Sequence, residues 1–245
     1  MRTIRIHVDQ MLSVGAELAL PQQAAAHLAR VLRLRGGDGV TLFNGDGQDY
    51  LAELIAVSPR EVRVRVLDAR FNVSESPLRI TLAQALARSE KMDWVVQKAT
   101  ELGVAEIVPL VTERSEVRLD DARARKRQEH WQAVAISACE QSGRARVPMI
   151  AAVQPLRAWL DSAGERTSAM RLALLPGGEL AARALGDLGN HAVLAVGPEG
   201  GFGEMDDAAL RDAGFRGLRL GPRVLRTETA GIAAVAALQS RYGDW

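Results

Sequence analysis

Three segments in the C-terminal half of the chain bring glycine, proline and charge together in a way that suits ligand binding by main chain. They are Pro176-Gly177-Gly178, Gly197-Pro198-Glu199-Gly200-Gly201-Phe202-Gly203 and Gly221-Pro222-Arg223-Val224-Leu225-Arg226-Thr227-Glu228-Thr229. Glycine permits close backbone approach to a bound molecule, and proline stiffens the wall around it. Each segment alone also reads as an ordinary turn from strand to helix; three in succession point to a pocket. No GxGxxG with an acid about twenty residues further on is present, and no GxxxxGK[ST], so neither a Rossmann dinucleotide site nor a P-loop is supported.

Arg226, Thr227, Glu228 and Thr229 stand just before an alanine-rich helix. Thr227 or Thr229 suits the N-cap, and Glu228 suits the positive end of the helix dipole. Arg226 does not fit that account, because a cation is disfavoured at a helix N-terminus, so it is a candidate for work on a ligand. His7, His27, His130 and His191 are scattered without ligand spacing, so no metal site is expected. Cys139 lies between apolar neighbours and reads as a buried small side chain rather than a reactive thiol. No Ser-His-Asp or Cys-His arrangement can be assembled.

Arginine clusters carry the signal for nucleic acid. Arg123, Arg125, Lys126 and Arg127 are flanked by Asp120, Asp121 and Glu129 and read as a solvated helix face. Arg30, Arg33 and Arg35 lie in a region of short strands, where an arginine edge can neutralise phosphates and read RNA shape.

The elements that must position these residues fall into two textures. In residues 1–72, Val40 to Phe43, Leu51 to Val57 and the alternating Val62, Val64 and Val66 predict half-buried strands of an antiparallel barrel or sandwich, with one short helix near Gln22 to Leu32. After the polar stretch ending in Pro77 the pattern becomes α/β, which places a domain boundary at 72/73. Strands are expected at Ile80 to Leu86, Ile107 to Val111, Leu172 to Leu175, Ala192 to Val196 and Leu218 to Leu220. Helices are expected at Glu90 to Leu102 with Gly103 as its stop, Asp120 to Ser142 with Asp120 capping, and Thr229 to Tyr242. The sheet should be mostly parallel, and because knots are almost absent from proteins, chain order by itself predicts an ordinary doubly wound arrangement. Ligands of such sheets sit beyond the strand C-termini, where the three glycine segments lie.

Composition bounds the rest. At roughly 150 residues per domain, 245 residues suit one large domain or two unequal ones, and 47% hydrophobic with 25% charged residues provides a sizeable core. The 31 basic and 30 acidic side chains leave a net charge of +1, so a polyanion must be met locally rather than by a global field. Of the basic residues 28 are arginine, a bias that suits bidentate phosphate binding and that genomic base composition also produces. One cysteine, no signal-like N-terminus and no apolar run of about 18 residues fit a cytoplasmic protein that neither spans a membrane nor is exported by the secretory route.

The chain resembles the ribosomal RNA small subunit methyltransferase E family of the SPOUT superfamily. In the first half the resemblance rests on His27-Leu28-Ala29-Arg30-Val31-Leu32-Arg33, Gly37-Asp38 and Phe43-Asn44-Gly45. In the second it rests on Gln97 to Val104, Glu113-Arg114-Ser115, Glu140-Gln141-Ser142-Gly143-Arg144, Gly197 to Phe202 and Leu220 to Ala230. It spans nearly the whole sequence and departs at Gly203-Glu204, where the family commonly has serine, a change that bears on the following helix cap.

The resemblance implies a PUA-like RNA-binding β-barrel domain at 1–72 and a SPOUT methyltransferase domain at 73–245 with a C-terminal trefoil knot, usually in a homodimer. It implies S-adenosylmethionine as cofactor and N3 of a uridine in 16S ribosomal RNA as methyl acceptor. Cofactor contacts carry over to Leu175, Pro176, Gly177, Gly197, Pro198, Glu199, Gly200, Gly201, Leu220, Gly221, Leu225, Arg226, Glu228 and Thr229. Arg30, Arg33 and Arg35 would hold RNA, with Lys98 and Arg144 nearer the target. Uracil N3 must lose a proton, leaving negative charge that an arginine stabilises; Arg226 is given this role, with Glu199 or Glu228 as proton acceptor or cofactor orienter. The alternatives are an inactive RNA-binding or ribosome-assembly factor of the same fold, and an α/β enzyme using another nucleotide-like ligand.

Overall fold

The computed structural model describes residues 4–58, 60–88, 90–116, 119–162, 169–186 and 189–245. These form two compact units, Met1–Glu75 together with Cys139–Val147, and Ser76–Ala138 together with Pro148–Trp245.

The first unit is built on a five-stranded sheet of β1 (Arg5–His7), β2 (Glu17–Ala19), β3 (Gly39–Phe43), β4 (Gln48–Val57) and β5 (Val62–Phe71), in the order β1-β3-β4-β5-β2. The period-two pattern has its physical counterpart in β5, where Val62, Val64 and Val66 are buried and Arg65 turns outward to pair with Glu17 on β2. The expectation of a wholly antiparallel sheet is corrected at one edge, since β1 runs parallel to β3. The short helix is α1 (Gln22–Ala26) continued by a π-helical turn over His27–Val31. Just beyond it stands Arg33, whose φ of +53° is the only positive value for a non-glycine among the described residues.

A second difference concerns Cys139–Val147, which the sequence assigns to the α/β half and the structure packs into the first unit. Arg144 is buried and pairs with Glu75 at 2.9 Å, while Asn72 Nδ2 donates to Gly143 O and to Asp49, the partner of Arg5. Phe43, Cys139 and Ala145 share a small buried cluster. Burial desolvates the Cys139 thiol and pushes its pKa up to about 12, which agrees with a packing role.

The second unit holds eight strands, every pair parallel: β6 (Arg79–Ala85), β7 (Glu106–Val111), β8 (Met149–Ile150), β9 (Gln154–Pro155), β10 (Met170–Leu174), β11 (Leu180–Ala181), β12 (His191–Val196) and β13 (Arg216–Arg219). Their order is β11-β13-β10-β12-β6-β7-β8, with β9 also on β7. Outward winding would place β10 beside β6 and β12 beyond it. Instead β12 lies between β6 and β10, so the ordinary doubly wound arrangement is corrected by an exchange of two neighbouring strands.

The helices are α2 (Glu90–Glu101), α3 (Asp121–Ser142), α4 (Leu156–Ser162), α5 (Glu204–Asp212) and α6 (Thr227–Tyr242). α2 buries Met92, Val95, Val96 and Ala99 and packs beside α6. It ends in a Schellman turn at Gly103, whose φ of +82° a side chain would resist. Gln239 of α6 seals that end, its Nε2 donating to Leu102 O at 2.7 Å. Asp120 Oδ1 accepts from Arg123 N–H, the cap expected for α3. No described helix is long and apolar enough to cross a membrane.

Candidate functional site

The C-terminal ends of β10, β12 and β13 surround a cavity of about 580 Å³, within the size range of small-molecule sites. Leu174, Leu175 and Pro176 come from β10 and its exit, Val196 to Gly201 from β12, and Leu218 to Gly221 from β13. Arg223 to Thr227 and Ala230 close it from the start of α6, and Lys91 reaches in from the first turn of α2. Strand exchange in the sheet has a direct consequence here, because it makes β10 the neighbour of both β12 and β13.

Glycine is needed at particular points of this wall. A Cβ on Gly197 would lie 3.0 Å from Phe202 N and 3.1 Å from Gly201 C, so a side chain there would require the backbone of the returning loop to shift by a few tenths of an ångström. A Cβ on Gly178 would lie 2.7 Å from the Gly217 carbonyl, because β13 passes against the turn after β10. Gly177, expected at the ligand, has open space around it and does not line the cavity.

Of the expected cofactor residues, Leu175, Pro176, Gly197, Pro198, Glu199, Gly200, Gly201, Leu220, Gly221, Leu225 and Arg226 line the cavity; Gly177, Glu228 and Thr229 do not. The helix-cap expectation is corrected: Arg226 itself occupies the N-cap of α6, without a side-chain cap bond, and both threonines lie in the first turn. The Thr227 hydroxyl is committed elsewhere, donating to Gly197 O at 2.5 Å and accepting from Gln84 Nε2 at 3.0 Å.

Lys91 lines the cavity and is the residue that the sequence reading missed. Its Nζ lies 2.9 Å from Glu199 Oε1 and 3.4 Å from Glu228 Oε2, the latter within ion-pair range but not aligned as a hydrogen bond. Hydrogen bonding to Glu199 holds the Lys91 ammonium above its ordinary pKa. Burial pushes the Glu199 carboxyl up, but the Lys91 bond and the main-chain N–H groups of Glu199 and Arg88 outweigh it, and the net shift is down. The signal that singled out Arg226, a cation at a helix N-terminus, applies equally to Lys91 on α2. Arg219 and Arg223 also stand on the rim. Among the described residues no carboxylate pairs with Arg219, Arg223 or Arg226.

The RNA candidates separate. Arg30, Arg33 and Arg35 are exposed, and Arg35 N–H donates to Asp38 at 2.6 Å. Lys98 is partly exposed and paired with Glu101 on its own helix. Arg144 is removed from the RNA candidates: its side chain is 4% exposed and already engaged by Glu75. Among the described residues no group of three or more His, Cys, Asp or Glu is placed to hold a metal.

Residues 74–239 match the model of an RNA methyltransferase domain, and residues 20–67 match that of an RNA methyltransferase PUA domain. The ribosomal RNA small subunit methyltransferase E of Buchnera aphidicola subsp. Schizaphis graminum is 31% identical over 99% of this chain and 98% of its own length. This chain belongs to the ribosomal RNA small subunit methyltransferase E family. Among solved structures, the family member from Neisseria gonorrhoeae bound to S-adenosyl methionine is 38% identical, with a TM-score of 0.93 over 99% of both chains. A Legionella pneumophila protein in complex with the bound cofactor SAM is 39% identical, with a TM-score of 0.94 over 100% of both. Within this family's frame the N-terminal sheet unit is the PUA domain, and the mostly parallel sheet is the methyltransferase domain.

Proposed function

We propose that this protein uses S-adenosylmethionine to methylate N3 of a uridine in the 16S ribosomal RNA of the small subunit. The observation that carries the reading is the cavity at three neighbouring strand ends, in a chain that is similar end to end to relatives solved with that cofactor. The wall fits such a ligand. Leu174, Val196, Leu218, Leu225 and Ala230 offer an apolar bed for an adenosyl group, and the glycine loops offer main-chain polar groups. Glu199, the one carboxylate of the wall among the described residues, opposes a cationic ligand.

When bound, the cofactor supplies a methyl group on a sulfonium, activated for in-line displacement, so placement of the acceptor supplies much of the rate. Arg226, on the wall and without a carboxylate partner among the described residues, stabilises the negative charge left when uridine N3 loses its proton. An adjacent guanidinium also favours that deprotonation, since an opposite charge favours the ionised form. Glu199 and Glu228 both face Lys91 and neither is a free base, so the N3 proton passes to solvent water before methyl transfer. Glu199, held in its ionised form, orients Lys91 and the ligand. Uridine must be unpaired or flipped to present N3. The same reading assigns RNA binding to the first unit through Arg30, Arg33 and Arg35. It also includes a homodimer, a trefoil knot around the cavity and a cytoplasmic location.

The test is methylation of small-subunit RNA, naked and assembled, with methyl-labelled cofactor, followed by nucleoside identification. Label in 3-methyluridine is expected, and its absence with active wild-type protein overturns the reading. Arg226→Ala should slow transfer by about 10²–10³-fold, as removal of one anion-stabilising donor does elsewhere, with cofactor affinity within a few-fold. Transfer at the wild-type rate would remove Arg226 from the mechanism.

A further inference from the structure

Three segments distant in sequence meet at one hydroxyl beside the cavity. Thr227 Oγ1 lies 2.5 Å from Gly197 O, 30 positions away, and 3.0 Å from Gln84 Nε2, 143 positions away. The directions of these bonds follow from chemistry. A carbonyl only accepts, so the single hydroxyl proton goes to Gly197, and the hydroxyl oxygen must then accept from the amide of Gln84. That fixes the amide orientation: Nε2 donates to Thr227 and also to Ala85 O at 3.0 Å, and Oε1 is left without a donor among the described residues.

The surroundings accept two local disadvantages to keep this arrangement. Gln84 is fully buried with one unsatisfied oxygen, which is costly. Gly231, inside α6, leaves room for that oxygen: a Cβ there would lie 3.1 Å from it, and glycine in a helix interior is disfavoured. Valine has nearly the shape of threonine and would pack at position 227, but it would take the Thr227 bond from both the Gly197 carbonyl and the Gln84 amide, which would keep only its bond to Ala85 O. Thr227, at the start of a helix whose N-cap offers no side-chain bond, ties that helix to the loop after β12. Local rules broken together beside a cavity point to a functional constraint.

We infer that Gln84 and Thr227 are a positioning pair for methyl transfer. Through the Gly197 carbonyl they lock the Gly197–Gly201 loop against the first turn of α6. They thereby set the spacing between the cofactor wall and Arg226, which precedes Thr227 in the chain. Neither residue touches the reacting atoms; both act through Gly197 and Arg226. The catalytic part of this inference rests on the proposed methyltransferase reading, whereas the locking of the loop does not.

The test pairs a cofactor-free measurement with kinetics. In Thr227→Val, hydrogen exchange without cofactor should accelerate at Gly201, Thr229 and Ala230, whose N–H groups are bonded to Pro198 O and Arg226 O, with the β4 and β5 amides unchanged. Methyl transfer should fall about 10–100-fold in kcat, the size of effect expected from misplacement by about 1 Å, with KM for RNA within about threefold. Thr227→Ser, which keeps the hydroxyl, should restore both to within about threefold. Gln84→Met should resemble Thr227→Val, and the double variant should be little worse than either, because the two act as one unit. The pair is overturned if Thr227→Val exchanges and turns over like the wild type, or if Thr227→Ser is as impaired as Thr227→Val. Should exchange respond as expected while the wild type transfers no methyl group, the lock stands and the methyltransferase reading falls.

Discussion

Lys91 illustrates how a single side chain sets the electrostatics of the cavity. Burial is the largest influence on Glu199 and raises its carboxyl, and the Lys91 bond outweighs it only together with the main-chain N–H groups of Glu199 and Arg88. A carboxyl held below its ordinary value contributes stability that is present above the ordinary pKa and is lost as pH falls through the lowered one. In Lys91→Met burial acts unopposed by the ammonium, so the acid limb of cofactor binding, followed by calorimetry against pH, should move to higher pH. An unmoved limb would show that Glu199 is not the group titrating. Glu140 is the opposite case. Burial raises its carboxyl, although the His7 N–H donates to it at 3.1 Å, so ionising it at neutral pH costs stability. Glu140→Gln should therefore be more stable than the wild type near neutrality, with the gain vanishing as pH falls to the ordinary carboxylate range. Thermal unfolding at two pH values checks the sign. The sequence marks Glu199 and Arg226 as chemistry-bearing, but it does not show that Lys91, more than a hundred positions away, grips Glu199.

At the scale of elements, α5 shows how a missing cap is replaced. Gly203 occupies the N-cap with no side chain to offer. Asp206 reaches back to Gly203 N–H at 3.3 Å and also accepts from Glu113 N–H at 2.9 Å. Glu113 Oε2 in turn accepts from Met205 N–H at 3.3 Å, supplying from the end of β7 the acceptor that a capping hydroxyl would give. A Cβ at Gly203 would run into that same carboxylate. Glu113→Ala should cost about 1 kcal/mol, the usual value of a helix cap. Gly203→Ser alone should be destabilising, and the double variant should recover most of the loss; losses that simply add would refute the substitution of one cap for the other. Such exchanges are invisible in a linear reading because the donor and its acceptor lie on separate elements. The caps and stops that are local, Asp120 for α3 and Gly103 for α2, are legible because both partners sit within a few residues.

For the whole molecule, the return of Cys139–Val147 to the first unit makes the pair of Arg144 and Glu75 a buried anchor. Arg144→Ala leaves a mostly buried carboxylate without its guanidinium, which typically costs about 3–5 kcal/mol. Denaturant unfolding should show that loss, while cofactor affinity in the second unit stays unchanged; a small loss would mean that Glu75 finds another donor. Arg33→Ala, by contrast, should leave stability intact and lower the salt slope of RNA binding by about 1, and an unchanged slope would exclude a phosphate contact. By itself the sequence determined what depends on near neighbours: the alternating strands, the helix periodicity, most of the helix ends, and the glycine loops that form the cavity wall. Family motifs added the activity to be expected. Tertiary structure alone decided that β12 lies between β6 and β10, that Arg144 is buried, and that Lys91, Gln84 and Thr227 converge on the Gly197 loop. These are contacts between residues far apart in the chain, and their energies depend on burial and mutual orientation, which no local pattern of residues encodes.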